Sequence, residues 1–174
     1  MKRKVLSLLV ALGLASILPS LPPELGVHPA VQADTETTLK LDVACDCRTY
    51  AFNGGPFSPR GDVFIISGKV FPAGTLPVGP ATNDPNDPGS IGNWTCRGTV
   101  TGAADPFAFI TQYHLLANGG LVSEGPTGPP LAVVGGMRAF SGASGEVSAE
   151  EIGPNITGCP NIRFNFKLKK QAPK

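Results

Sequence analysis

The sequence predicts an all-β protein, an eight-stranded antiparallel β-barrel, and three observations carry that prediction. Glycine and proline supply 22 and 18 of the 174 residues, a load that excludes a helical bundle. Aromatic and β-branched residues recur in short bursts along the whole chain, which low-complexity disorder does not show. The bursts after residue 38 are strand-sized, eight in number and separated by turn residues. Closing them into a barrel removes exposed edges, and eight strands enclose an interior just wide enough for packed side chains or one small ligand.

The chain opens with a different kind of segment. Met1-Lys2-Arg3-Lys4 is basic, Val5 to Leu18 is apolar apart from Ser7 and Ser16, and Val31-Gln32-Ala33 offers small residues at the positions a signal peptidase reads. Residues 1–33 are therefore expected to be a secretory signal, residues 34–174 a single barrel domain, and the mature protein secreted or periplasmic. The apolar run is short for a membrane span, and Pro19, Pro22 and Pro23 follow it closely. Removing Lys2, Arg3, Lys4 and Glu24 turns the formal charge from +1 to −1, which leaves no basic surplus for nucleic acid or anionic lipid.

The strands follow in order. Leu39 to Phe52 alternates, with Leu41, Val43, Cys45 and Cys47 on one face and Asp42, Asp46 and Arg48 on the other. Asp62 to Phe71 is apolar on both faces, which calls for an outer cover such as another subunit. Pro72 to Ser90 is a long connection over the surface or the rim. Its Asn83-Asp84-Pro85-Asn86-Asp87-Pro88-Gly89 run reads as turn-forming side chains in preference to calcium ligands. Further strands are expected at Ile91 to Thr101, Phe107 to Ala117, Gly120 to Glu124, Leu131 to Ala139 and Gly142 to Glu150, with ordinary turns at Gly102 to Pro106 and Gly125 to Pro130. The last, Asn161 to Lys169, sets Ile162, Phe164, Phe166 and Leu168 against Arg163, Asn165, Lys167 and Lys169, a half-solvated strand with a clean inner face.

Candidate chemistry is sparse. Cys45, Cys47, Cys96 and Cys159 all follow the cleavage site, so one or two disulfides are expected, with free cavity-lining thiols and zinc as competing readings. Cys45 and Cys47 share a strand face and cannot easily bond to each other; each needs Cys96 or Cys159 or stays free. No metal site is assigned, because Cys45-x-Cys47 lacks the usual spacing and His114 is the one histidine of the mature chain. His114 shares a face with Gln112 and Leu116 and opposes Tyr113; it reads as a hydrogen-bonded or surface residue, with acid–base work as the functional alternative. Trp94 shares a face with Cys96, as a core residue or a ligand-stacking one. Asn93-Trp94-Thr95 and Asn155-Ile156-Thr157 match glycosylation acceptors. No nucleophile elbow, phosphate loop or dinucleotide fingerprint is present, and no catalytic residue is assigned.

One segment resembles a known family. Leu131-Ala132-Val133-Val134-Gly135-Gly136-Met137-Arg138-Ala139-Phe140-Ser141-Gly142-Ala143-Ser144-Gly145-Glu146-Val147 is similar to the glycine-rich segment of allene oxide cyclases and dirigent proteins. Gly61-Asp62-Val63, Ile91-Gly92 through Cys96, and Gly120 through Pro126 line up in the same order with the second, third and fifth strands of that family. In the glycine-rich segment, Gly135-Gly136 is expected to permit positive φ and close approach, Phe140 to fill a core position, and Gly142 with Gly145 to turn the chain back. The resemblance implies a lipocalin-like barrel, commonly trimeric, without metal or organic cofactor. It also implies a small apolar ligand steered in its cyclisation or coupling, by orientation and exclusion of water. It places Cys96 at a cavity-lining cysteine and Glu124 near a position that is Gln in plant cyclases. Two departures stand out: the first strand holds no glutamate, which plant cyclases rely on, and Thr127-Gly128-Pro129-Pro130 replaces their tyrosine-bearing turn.

The function expected is that of a secreted, cofactor-free barrel binding a small apolar ligand, with Cys96, Trp94, Glu124 and His114 as candidate ligand-binding residues. The alternative is an exported structural or interaction protein whose barrel is packed and stapled by disulfides, one of them joining Cys45 or Cys47 to Cys96.

Overall fold

The computed structural model describes residues 35–52, 60–102, 107–128 and 130–170; the expected signal segment 1–33 and most of the 102–106 turn lie outside them. The described residues contain no helix. Eight strands run β1 (Thr35–Phe52), β2 (Val63–Pro72), β3 (Gly92–Val100), β4 (Ala108–Leu116), β5 (Gly119–Pro126), β6 (Leu131–Arg138), β7 (Ala143–Pro154) and β8 (Pro160–Lys170). Each pairs antiparallel with the next, and β8 returns to β1, so the sheet is a closed barrel as the alternation predicted.

Two strands outrun their sequence bounds by four residues at one end. β1 begins at Thr35 rather than Leu39, because its polar start pairs with the basic end of β8, Glu36 opposite Lys169 and Thr38 opposite Lys167. β7 continues past Glu150 to Pro154, through an irregularity in its pairing with β8 between Glu151 and Gly153.

The interior is filled from the alternating faces. Leu41, Val43 and Cys45 meet Phe64, Val70, Trp94, Cys96, Leu121, Val133, Val147, Phe164 and Phe166 in one buried cluster. Phe164 and Phe166 are essentially inaccessible, and burying a side chain of that kind contributes about 1.5–3 kcal/mol. Leu39, Leu116, Phe140 and Leu168 pack against this cluster where β1 starts and β4 and β8 end, and so fill one end of the barrel. In the glycine-rich segment the expected positive φ falls at Arg138 (54°), Gly142 (74°) and Gly145 (141°) rather than at Gly135-Gly136. Gly136 serves close approach: its α-carbon sits against the Phe140 carbonyl with no room for a side chain.

The connection between β2 and β3 lies as a strap over the outside of β1, β7 and β8. Leu76 joins Ala44, Phe71 and Ile152 in a second apolar cluster on the outer surface. The Gly79 N–H donates to Ile152 O (2.6 Å) and the Ala81 N–H to Pro154 O (3.0 Å). Asp42 anchors the strap: fully buried, it accepts from the Gly74 N–H (2.7 Å) and from Arg163 Nε and Nη2 (2.8 and 3.1 Å). The Asn/Asp/Pro run is a turn as read, with the Asp84 N–H donating to Asp87 Oδ2 and the Asn86 N–H to Asp84 Oδ1. The chain thus covers Phe71 with its own loop, while Val63 and Ile65 on the same outer face remain exposed.

The cysteine pairing is narrower than the four candidates allowed. Cys47 bonds Cys159, and Cys45 and Cys96 are free and buried. Pairing of β1 with β2 becomes irregular after Asp46, so Cys47 leaves the interior that Cys45 stays in, and meets the β7–β8 turn. Neither Cys45 nor Cys47 bonds Cys96, and the disulfide closes the β1–β8 seam without crossing the interior. The Asn155 sequon is also structural: Asn155 is buried, its Nδ2 donates to Cys45 O (2.8 Å), and its Oδ1 accepts from Thr157.

Candidate functional site

Strand register places the polar interior residues in two adjoining rows. Cys96, Gln112 and Ser123 stand opposite one another across β3, β4 and β5, and Trp94, His114 and Leu121 form the next row toward the filled end. The wall facing these rows is aromatic. The His114 ring stands near-perpendicular to Phe164 and Phe166 at centroid distances of 4.7 and 5.0 Å, and Trp94 tilts against Phe164 at 6.2 Å. Trp94 Nε1 donates to Gln112 Oε1 at 3.4 Å.

The balance of donors and acceptors in these rows is incomplete. His114 is fully buried with neither ring nitrogen partnered, and Ser123 Oγ is buried without a partner. Each such group costs about 1–3 kcal/mol. Burial alone pushes the His114 pKa down to about 3, so the ring is neutral at physiological pH. The same cause raises both free thiols, Cys96 to about 12, and a protonated thiol is a poor nucleophile.

Above the rows, at the end where β1 finishes and β8 begins, lies a mouth pocket of about 380 Å³. Ile110, Gln112, Leu131, Val147, Ile162 and Phe164 line it, with Thr127 and Gly128 of the β5–β6 turn, and Glu151 is the one ionisable side chain among its described lining residues. The site is therefore mostly apolar with an amide on its floor and a carboxylate at its rim.

Comparison with solved structures places this architecture. The chain superposes on two pterocarpan synthase dirigent proteins with TM-scores of 0.58, at 13% and 14% identity, covering 81% and 82% of this chain and 93% and 99% of theirs. The fold is that of the dirigent barrels. A pyocyanin demethylase shares it, with a TM-score of 0.55 at 18% identity over 76% of this chain and 99% of the other. No protein-family profile and no curated protein sequence matches the chain.

Within the dirigent-like barrel, the four candidate ligand-binding residues divide. Cys96, Trp94 and His114 all face inward and are buried, and His114 is neither hydrogen-bonded nor on the surface, as its lone place on a strand had suggested. Glu124 does not join them. It lies exposed on the outer wall, accepts from Thr111 Oγ1 at 3.4 Å, and borders a surface groove with Arg97, Phe109 and Val134. Alternation along β5 sends Leu121 and Ser123 inward, so Glu124 must point out. Ser123 and Glu151 are the residues the sequence reading passed over. The period-two pattern that turned Glu124 outward was the signal for Ser123; Glu151 lay beyond the expected strand end.

Proposed function

We propose that this protein is a cofactor-free binding barrel that takes a small, largely apolar ligand into the mouth pocket and holds it in one conformation, guiding its cyclisation or isomerisation. The observation that carries the reading is the pocket itself. A volume of about 380 Å³ falls within the range of small-molecule sites, and an apolar lining with few convergent polar groups is their usual composition. Control by orientation and exclusion of water asks little acid–base chemistry of the protein, which fits inert thiols and a neutral histidine. Two structural neighbours carry names that attach them to small organic molecules, a pterocarpan and pyocyanin. Export fits the Cys47–Cys159 disulfide, which an oxidising compartment maintains. The assembly expected is a homotrimer.

The second reading, an exported structural barrel, draws on the filled interior below Gln112 and on the strap outside. Native mass spectrometry of protein purified from its own host decides between them. Retained small-molecule mass that is lost in an Ala149→Phe variant, which fills the mouth, is the expected result. A protein that arrives empty, and that binds none of a panel of small aromatic and aliphatic compounds, would overturn the binding reading in favour of the structural one.

A further inference from the structure

The mouth pocket ends on Gln112 and Phe164, and the groups directly behind these two, Ser123 and His114, have unused hydrogen-bonding capacity. Ser123 stands opposite Gln112 on β5, at the point where β5–β6 pairing shifts register between Val122 and Ser123. His114 lies edge-on beneath Phe164. Resting on the reading of the pocket as a ligand site, we infer that Gln112 on the pocket floor, backed directly by Ser123 and His114, receives one neutral polar group, a hydroxyl or carbonyl, at the leading end of the ligand.

The chemistry of the three side chains sets that class. Gln112 accepts the Trp94 indole hydrogen through Oε1, which leaves its amide hydrogens for an acceptor. The Ser123 hydroxyl gives and takes one hydrogen bond, and a neutral imidazole offers one donor and one acceptor. A hydroxyl or carbonyl matches such a mixed set. A carboxylate does not, because the floor carries no cation, its surroundings are aromatic and aliphatic, and Glu151 at the rim repels an anion on entry. Burial holds His114 neutral, in keeping with a floor that reads dipoles rather than charge. A purely apolar ligand would leave the Gln112 amide hydrogens, Ser123 and His114 without partners. Sites with buried hydrogen-bonding groups discriminate strongly against analogues that lack the matching group.

Three probes of similar shape test this: toluene, p-cresol and p-toluate, titrated into the folded full barrel with calorimetry for affinity and ¹⁵N shifts for the His114 ring. The expected result is p-cresol binding at least ~10-fold tighter than toluene, p-toluate weakest, and a His114 shift with p-cresol alone. In Ser123→Ala and Gln112→Leu the ratio of p-cresol to toluene affinity should fall toward one. Equal affinity of wild-type protein for toluene and p-cresol overturns the floor and leaves the pocket standing, and so does preference for p-toluate. Failure of all three probes to bind overturns the pocket reading and the floor with it. The wild-type series decides even if a variant does not fold.

Discussion

The two sides of the barrel wall are built on opposite plans. On the β7–β8–β1 side the interior face is hydrocarbon, Leu41, Val43, Val147, Phe164 and Phe166, and the outer face holds ion pairs under a strap, Asp42 with Arg163 and Asp46 with Arg48 and Asp84. On the β3–β4–β5 side the interior carries Gln112, His114 and Ser123, while Phe109 and Leu115 stand exposed outside. The first wall has its buried polar groups paired and its interior filled with hydrocarbon, so stability concentrates there. The second departs from that arrangement on both faces, and departures of this kind collect where a fold does its chemistry. The contrast separates the wall whose buried polar groups are partnered from the wall that carries unpartnered ones.

Breaking the strapped wall should have the largest effect. Asp42→Ala strands Arg163 and the Gly74 N–H, and a buried pair broken from one side costs about 3–5 kcal/mol. A fall in melting temperature of about 10 °C or more, with faster proteolysis within residues 73–91, is the expected outcome. Cys47→Ser removes a link spanning 112 residues of sequence and should cost about 2–4 kcal/mol in denaturant titrations. In the wild type, intact mass should lie two hydrogens below the fully reduced chain, with Cys45 and Cys96 unlabelled by maleimide until the protein unfolds.

The polar wall should announce itself through pH. His114 has a depressed pKa in the folded state, about 3 against 6.5, so below pH 6.5 the unfolded chain takes up a proton that the folded one refuses. Stability present above pH 6.5 is therefore lost as pH falls toward 3, at up to about 1.4 kcal/mol per pH unit. Between about pH 6.5 and 5.5, above the main titration of the carboxylates, His114→Leu should flatten the slope of urea midpoints; an unchanged slope would place the proton elsewhere. The smallest effect belongs to the outside of this wall. Phe109→Ser should move stability by no more than about 0.5 kcal/mol, because the ring is mostly in water already.

How far the sequence reaches follows the same division. The strapped wall is written in local pattern: Ile162, Phe164, Phe166 and Leu168 alternate cleanly, and their strand sits where that alternation put it. The strap's role was not legible, because Asp42 looks like an ordinary solvent-facing carboxylate until a loop more than thirty residues away closes over it. On the polar wall, alternation was enough to set Gln112 and His114 on one face, yet nothing local says that the ring will meet Phe164 and Phe166, delivered by a strand fifty residues further on. Glu124 drew attention through the family resemblance, and its neighbour Ser123 holds the interior position. Cys45 and Cys47 looked equivalent because an ideal strand repeats every two residues; the irregularity after Asp46 separated them.

β1 starts and β8 ends side by side at the filled end, with the mouth pocket at the other. Any tether attached through either terminal strand, whether to a resin, a sensor chip or a fused carrier, therefore projects the barrel with its entrance pointing outward. Immobilised protein should keep the same access for small molecules as protein free in solution.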